Sequence, residues 1–515
     1  MELSNLMEEV KNKNVVNNQL VELQIGDSIK IKAYPFSVNK LDNTFFFMGK
    51  ENYEKFLFIV YSDDGFAKNF EGQVIDAGKQ IFLKKCNLTT KNRIELQKLF
   101  EFTVAKPLGL CNSFGCGDRL GLANPGHIRA IKDSHFKPIL AQQSIRELTR
   151  TQRTPQEVMD AAVWAVFQEG YKDGFGSDAD HLKTFDDIDL MLSANFTMFT
   201  FDPSEHVDNN ADHYNENELI EKVKSINWDE LKDSYEEAEK RYVNIKFDIS
   251  DKLTLEVTKE NFLRAYAKYG KAIIHIKKMY DYLASKCDSG KFEVEVSVDE
   301  TESVTSPFEH FFFANELNRL GVKYISLAPR FVGDFEKGID YKGDLDLFKK
   351  EYEKHLAITK YFGKYKISLH SGSDKFSAYR VIGSLKDAYT HVKTAGTSYL
   401  EALRVVAAKE PDLFREILNF SKGLYETEKR SYHVSADINK VKAGKEYSNE
   451  ELLSLFNSND VRQVLHVTFG KVLTEKDSEG KFLFKDKILK CLIENEDTHY
   501  EFIVNHFKKH LEPFK

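Results

Sequence analysis

Residues 137–181 read KPILAQQSIRELTRTQRTPQEVMDAAVWAVFQEGYKDGFGSDADH. A short apolar run, KPILAQQ (137–143), opens the stretch, and a second, DGFGSDADH (173–181), closes it. Between them, VMDAAVWAVFQEGYKDG (158–174) repeats apolar residues at spacings of three and four, which predicts an amphipathic helix. Gly174 stands where a helix C-cap is expected. Strand, helix and strand in this order make a parallel βαβ unit.

The alternation continues on both sides. KPLGLCNSFG (106–115) precedes it, and FTMFTFD (196–202), FEVEVSVDE (292–300), KYISLAPR (323–330), KISLHSGS (366–373) and THVKTAG (390–396) follow. Most are trailed by helical spacing, as in HFFFANELNRLGV (310–322), with Gly321 at its expected cap, and SYLEALRVVAAK (398–409). Eight such units predict an α/β fold, a (β/α)8 TIM-like barrel over residues 105–410. An open doubly wound sheet is the alternative. It is weakened because no strand is followed by a dinucleotide or P-loop glycine fingerprint.

The flanks read differently. Residues 1–104 hold short β-rich runs, FLFIVYS (56–62), QVIDAG (73–78) and KQIFLKK (79–85), which predict a partly antiparallel extension. Residues 203–290 are too long for one βα connection. They contain NWDELKDSYEEAEKRY (227–242), read as one charged helix, and a further helix around 260–285, and are expected as a lid-like insertion at the barrel mouth. Residues 411–515 are expected to be mainly helical, with one strand-like run, VRQVLHVTFG (461–470).

Composition narrows the function classes. The chain has 515 residues, 42% hydrophobic and 13% aromatic, enough for a sizeable core. A net charge of −8 gives no footprint for nucleic acid. Five scattered cysteines with no CxxC pair argue against a disulfide framework or a thiolate zinc site. The start, MELSNLMEEVKNKN, lacks the apolar core of a secretion signal, and no window reaches about 18 uninterrupted apolar residues. A cytoplasmic protein with no membrane partner is expected, with homo-oligomerisation left open.

In a barrel, functional side chains lie at the carboxyl ends of the strands. That rule selects Arg119, Asp180-His181, Lys183, Glu295, Arg330, Asp334, Glu336, His370, Lys375 and Lys393 among others. Singly, each has a bland reading. Asp180-His181 can be a capping pair, His370 a satisfied buried histidine, and Arg119 and Arg330 surface arginines. Glu295, however, alternates with valines on a central strand, so its face points into the barrel, where a carboxylate is costly unless paired or metal-bound. Imidazoles with carboxylates and no thiolate suit Zn, Mn, Fe, Co or Ni in an open site. Arg119, Lys183, Arg330 and Lys375 can hold a carboxylate or phosphate of the substrate. The residues thus point to a metal-dependent barrel enzyme acting on a sugar acid or sugar phosphate.

Four segments carry a resemblance: LGLCNSFGCGDRLGLANPGHIRAI (108–131), PILAQQSIRELTRTQRTP (138–155), GSDADHLKT (176–184) and EVSVDETESVTSP (295–307). The chain resembles the tagaturonate/fructuronate epimerases over most of residues 100–400. The resemblance implies an isomerase of hexuronate catabolism, interconverting D-tagaturonate and D-fructuronate with a divalent metal cation. The neutral pair D-tagatose/D-fructose is a second candidate ketohexose substrate. It further implies Asp180 as proton acceptor, Glu295 as proton donor, and His181 and His370 as metal ligands, with Glu336 favoured over Asp334 as the third.

The chemistry constrains the mechanism independently. The two ketouronates differ at a carbinol carbon β to the ketone, whose hydrogen the carbonyl does not acidify. Retro-aldol cleavage and re-addition inverts such a centre, whereas transient oxidation would need a nicotinamide site that the sequence does not signal. A metal-dependent aldolase that releases its fragments is the rival reading. A non-catalytic sugar-acid binding protein is a third, disfavoured by the absence of an export signal.

Overall fold

The eight expected strands close into one parallel barrel in the computed structural model, which describes residues 2–26, 29–385 and 387–515. In chain order the barrel strands are Ser113–Cys116, Lys137–Ser144, Gly176–Leu182, Met198–Phe201, Glu293–Val298, Ser326–Pro329, Lys366–Leu369 and Thr390–Thr394. Each pairs with its sequence neighbours, and the eighth pairs with the first, His391 opposite Ser113. The TIM-barrel expectation is borne out. The first strand is shorter than its sequence run, beginning at Ser113.

Local chemistry sets the elements. The helix Pro155–Glu169 starts at a capping box between Thr154 and Glu157 and stops at Gly170 in the left-handed region, φ 56°. It therefore ends before Gly174, because Gly170 already supplies the left-handed cap. Gly321 lies just past the helix Pro307–Arg319 with φ 73°, as expected. On the fifth strand Val294, Val296 and Val298 are buried on one face, and Glu295 and Ser297 on the other.

The N-terminal sheet is antiparallel and seven-stranded. Its period-two alternation gives it two apolar faces. Phe46, Met48, Leu57 and Ile59 join the barrel's core, while Phe47, Phe58 and Val60 form a separate core with Leu3 and Leu6 of the helix Leu3–Lys11.

Residues 203–290 depart from the expected lid. Lys259–Lys286 is a helix packed between Phe185–Leu192 and Pro307–Arg319, and so fills the place of the fourth barrel helix. Much of the remaining insertion packs on the outside of the barrel helices, with Tyr242 against Phe312 and Phe247 against Phe311. In 227–242 only Tyr235–Tyr242 is α-helical, because Ser234 caps a new helix there.

The C-terminal region supplies the roof instead. The run 461–470 is not a strand: Asn459–Val467 and Phe469–Thr474 are helices. Val461, Val464 and Leu465 recur at spacings of three and four and are buried among neighbouring helices. Gly396 lets the first of these helices approach the mouth, since a Cβ there would lie 1.9 Å from Cε1 of His466. The helix Glu496–Leu511 packs across the barrel helix Asn124–Ile131, where Gly126 makes room for Ile503.

Candidate active site at the carboxyl end of the barrel

At the carboxyl end of the strands lies a cavity of about 270 Å³, a size for a small molecule. Its lining includes Arg119, Arg146, Asp180, His181, Asp299, Arg330, Lys337, His370, Lys393 and His466. Ser431, Tyr432 and His433 close it from above, and no residue of 203–290 contributes.

Lys393, on the eighth strand, is the hub of the floor. Its Nζ lies 2.8 Å from Asp178 Oδ2, 2.7 Å from Asp180 Oδ1 and 2.7 Å from Glu295 Oε1. It also donates to Thr200 Oγ1 at 2.7 Å. Asp178 and Asp180 are two residues apart on the third strand and share its inward face. All four ionisable groups are buried.

A second layer sits above. His181 Nδ1 pairs with Asp180 Oδ1 at 2.7 Å. His370 Nε2 lies 2.7 Å from Glu295 Oε1, and its Nδ1 2.9 Å from Asp299 Oδ1. Ser297 Oγ donates to the same Asp299 oxygen at 2.5 Å. The His181 and His370 rings are 4.9 Å apart. Strand alternation would turn His181 away from Asp180, yet both line the cavity. His181 has φ 55°, and the strand pairing shifts register between Ala179 and Leu182. A non-glycine residue in the left-handed region at such a bulge re-aims a side chain at local energetic cost.

The electrostatics follow from this packing. Burial would raise the Asp180 and Glu295 carboxyls, but nearby cations hold both well below the usual range: His181 and Lys393 at Asp180, Lys393 and His370 at Glu295. Burial pushes Asp178 up to about 6 against the pull of Lys393. Burial works against a protonated His370, but Asp299 and then Glu295 lift it to about 10. His391, buried deeper in the barrel, is depressed to about 3 by burial.

The structure brings Asp180, His181, Glu295 and His370 together, and puts Arg119 and Arg330 on the same cavity. Two expected substrate ligands lie elsewhere. Lys183 points to Ser204, Glu205 and Asp202. Lys375 is buried and donates to the carbonyls of Glu336, Ile339 and Ser373, so it braces a loop. Glu336, the favoured third ligand, is also displaced. Its carboxylate accepts from Ser435 Oγ, Gln463 Nε2 and Lys342 Nζ at 2.7, 2.7 and 3.0 Å, anchoring the roof segment. Asp334 lines the cavity but pairs with His433 at 3.1 Å. The carboxylate that stands with both histidines is Asp299, their ligand atoms lying within 4.8 Å of one another. The alternation of the fifth strand puts Asp299 on one face with Glu295 and Ser297, but no local signal assigns it a ligand's role. Lys393 was noted at a strand end without a role, because nothing local shows that two other strands aim carboxylates at it.

The comparisons agree with this architecture. The sequence profile described as tagaturonate epimerase matches residues 34–514. A tagaturonate/fructuronate epimerase from Thermotoga maritima is 42% identical over 481 residues, 93% of this chain and 96% of that protein. Crystal structures of a fructuronate-tagaturonate epimerase from Cohnella laeviribosi superpose closely. The form complexed with one glycerol has a TM-score of 0.88 at 37% identity, covering 94% of this chain and 96% of that one. The native form has 0.87 at 36%, covering 99% of both. No helix among the described residues is long and apolar enough to cross a membrane. By profile, sequence identity and fold together, this chain belongs to the tagaturonate epimerase family and is an isomerase.

Proposed function

We propose that this chain interconverts D-tagaturonate and D-fructuronate in the barrel cavity, with a divalent cation held by His181, His370 and Asp299. The observation that carries the reading is the convergence of Asp180 and Glu295 on Lys393, beside two facing imidazoles. The donor set fits a cation. Three carboxylates, of Asp178, Asp180 and Glu295, crowd one lysine, and a fourth, Asp299, faces His370 beside them, an excess of negative charge that needs protons or a metal. Mixed imidazole and carboxylate ligands suit Zn, Mn, Fe, Co or Ni. Bound there, such an ion would polarise the substrate's ketone as a Lewis acid.

The chain's own residues handle the proton. In this reading Asp180, held ionised, takes the proton of the β-hydroxyl. The C–C bond then breaks, its electron pair passing into the ketone fragment as an enediolate while the carbinol becomes an aldehyde. The aldehyde turns and the bond re-forms on its other face, with the alkoxide reprotonated from the Glu295 side. Glu295 is ionised in the resting site, so its proton must arrive through its partners. Lys393 donates to both carboxylates and is placed to share a proton between them.

The deciding experiment is incubation of the purified, metal-supplemented protein with D-tagaturonate in D2O, followed by product identification. D-fructuronate without deuterium at the inverted carbon is expected. No D-fructuronate with any of these metals overturns the activity, deuterium there at the rate of turnover overturns the cleavage route, and free fragments as the end products make the enzyme an aldolase.

A further inference from the structure

The cavity has a second, cationic end that the mechanism does not use. Arg119 is 4% exposed, and its guanidinium stacks 3.5 Å from the ring centroid of Phe469. Its Nε and Nη2 both donate to Glu147 Oε1, at 3.1 and 3.0 Å. That locks the fork and leaves Nη1 buried with no hydrogen-bond partner among the described residues. Lys337, half-buried, donates to a neutral hydroxyl, Ser371 Oγ, at 2.6 Å. Arg146 has Glu300 only at 3.9 Å and lies 5.7 Å from the Tyr432 ring. His466, 2% exposed, also lines the cavity with Nδ1 unpartnered.

Of the three cations only Arg119 has a carboxylate within hydrogen-bond distance, Glu147, while the nearest to Arg146 is Glu300 at 3.9 Å and Lys337 bonds a neutral hydroxyl. Burial first and then the neighbouring Arg146 depress the Lys337 ammonium, a tension that an incoming anion relieves. An unpaired buried donor such as Arg119 Nη1 is costly unless a ligand completes it. The substrate class proposed above is a six-carbon chain whose ketone and carboxylate are separated by three carbinol carbons. Seating the ketone beside His181 and His370 leaves the carboxylate for another part of the same cavity.

Resting on that reading of the reaction, we propose that Arg119, Arg146 and Lys337 seat the substrate's terminal carboxylate and so select ketouronates over neutral ketohexoses. Arg119 supplies a preset donor, Nη1, Lys337 a point charge, and Arg146, at the rim, charge that reaches solvent and draws the acid in.

The test measures binding, so it does not depend on turnover. On a Glu295→Gln background, calorimetry compares D-tagaturonate with D-tagatose. The acid is expected to bind at least about 10-fold tighter, the scale of one charge-assisted hydrogen bond. Adding Arg146→Gln or Lys337→Gln should cut that advantage to within about threefold, and Lys337→Arg should restore most of it. An advantage unchanged in both variants, a parallel loss for both sugars, or no preference in the parent background each overturns the inference. Turnover of D-tagaturonate by the unsubstituted protein is scored separately, and its failure counts against the proposed reaction whatever the binding shows.

Discussion

Two clusters in this molecule, one lining a cavity and one fully buried, are built from the same residue types and do opposite things. One lines the active-site cavity, where His181, His370 and Asp299 stand above the floor that Lys393 centres. The other joins Asp374, His506 and His510 under the C-terminal helix, with ligand atoms within the same 4.8 Å. Here every donor is already used. Arg462 Nη2 lies 2.6 Å from Asp374 Oδ2, and His506 bridges Asp374 and Glu401 at 2.5 and 3.2 Å. His510 accepts from the Asp374 amide at 3.1 Å and donates Nδ1 to the carbonyl of His506 at 3.1 Å. An arginine supplies the counter-charge, and each histidine nitrogen of the cluster already has a partner. Residue types do not separate a reactive cluster from a clamp; a cavity at the cluster and an unfilled charge requirement do.

The contrast can be broken from either side. The largest expected effect lies on the floor. Asp180→Asn or Glu295→Gln should lower kcat by about 10²- to 10⁴-fold with metal content unchanged, since each keeps shape but removes the proton site. His506→Gln, in the clamp, should leave kcat of the folded protein within about threefold of the parent. Comparable losses at both places would erase the distinction.

Next comes stability. Asp374→Ala strands Arg462 and His506 in a buried site and should cost about 3–5 kcal/mol in denaturant unfolding. A change under about 1 kcal/mol would mean that water already solvates that pair.

Metal content sharpens the same line. His181→Ala, His370→Ala and Asp299→Ala should each lose bound metal, read by elemental analysis, while Glu336→Gln and His510→Asn should retain it. A weakening of about 10- to 100-fold on changing Glu336 would show that the roof anchor also supports the ligands.

The smallest effect is a pH slope. Burial depresses His510 to about 3, well under the usual histidine range near 6.5. The unfolded chain therefore takes up this proton first, and the stability His510 contributes is full above about pH 6.5 and falls as the pH drops toward 3. His510→Asn should flatten unfolding free energy against pH by about one proton between pH 6 and 4. An unchanged slope would place the titration elsewhere.

Much of this was legible beforehand. The eight strands read true because a strand in a barrel is recognised by its own short apolar run and the helix after it. Glu295 read true as an inward carboxylate because period-two alternation on a central strand leaves no other face for it. The misreadings share a cause. Lys183, Lys375 and Glu336 stand after strand ends, but the loops turn Lys375 to backbone carbonyls and Glu336 to the roof, and loop direction is not encoded by spacing. The helix Asn459–Val467 passed for a strand because its valines raise β propensity, whereas neighbouring helices bury it as a helix.

Local periodicity and capping set which segments are strands and helices here, since those choices are made over one or two turns by sterics and nearby hydrogen bonds. Barrel closure then follows from repeating one βα unit. Which charges meet was decided at long range. Asp178, Asp180, Glu295 and Lys393 come from three strands up to 215 residues apart, a separation given by positions 178 and 393. Only the closed ring turns them toward one point. The roof is likewise a product of packing: residues 431–433 reach the mouth because Glu336, Asp334 and Gly396 receive the C-terminal region there. Buried charge has no local signature, because its cost is met by partners that the chain order keeps apart.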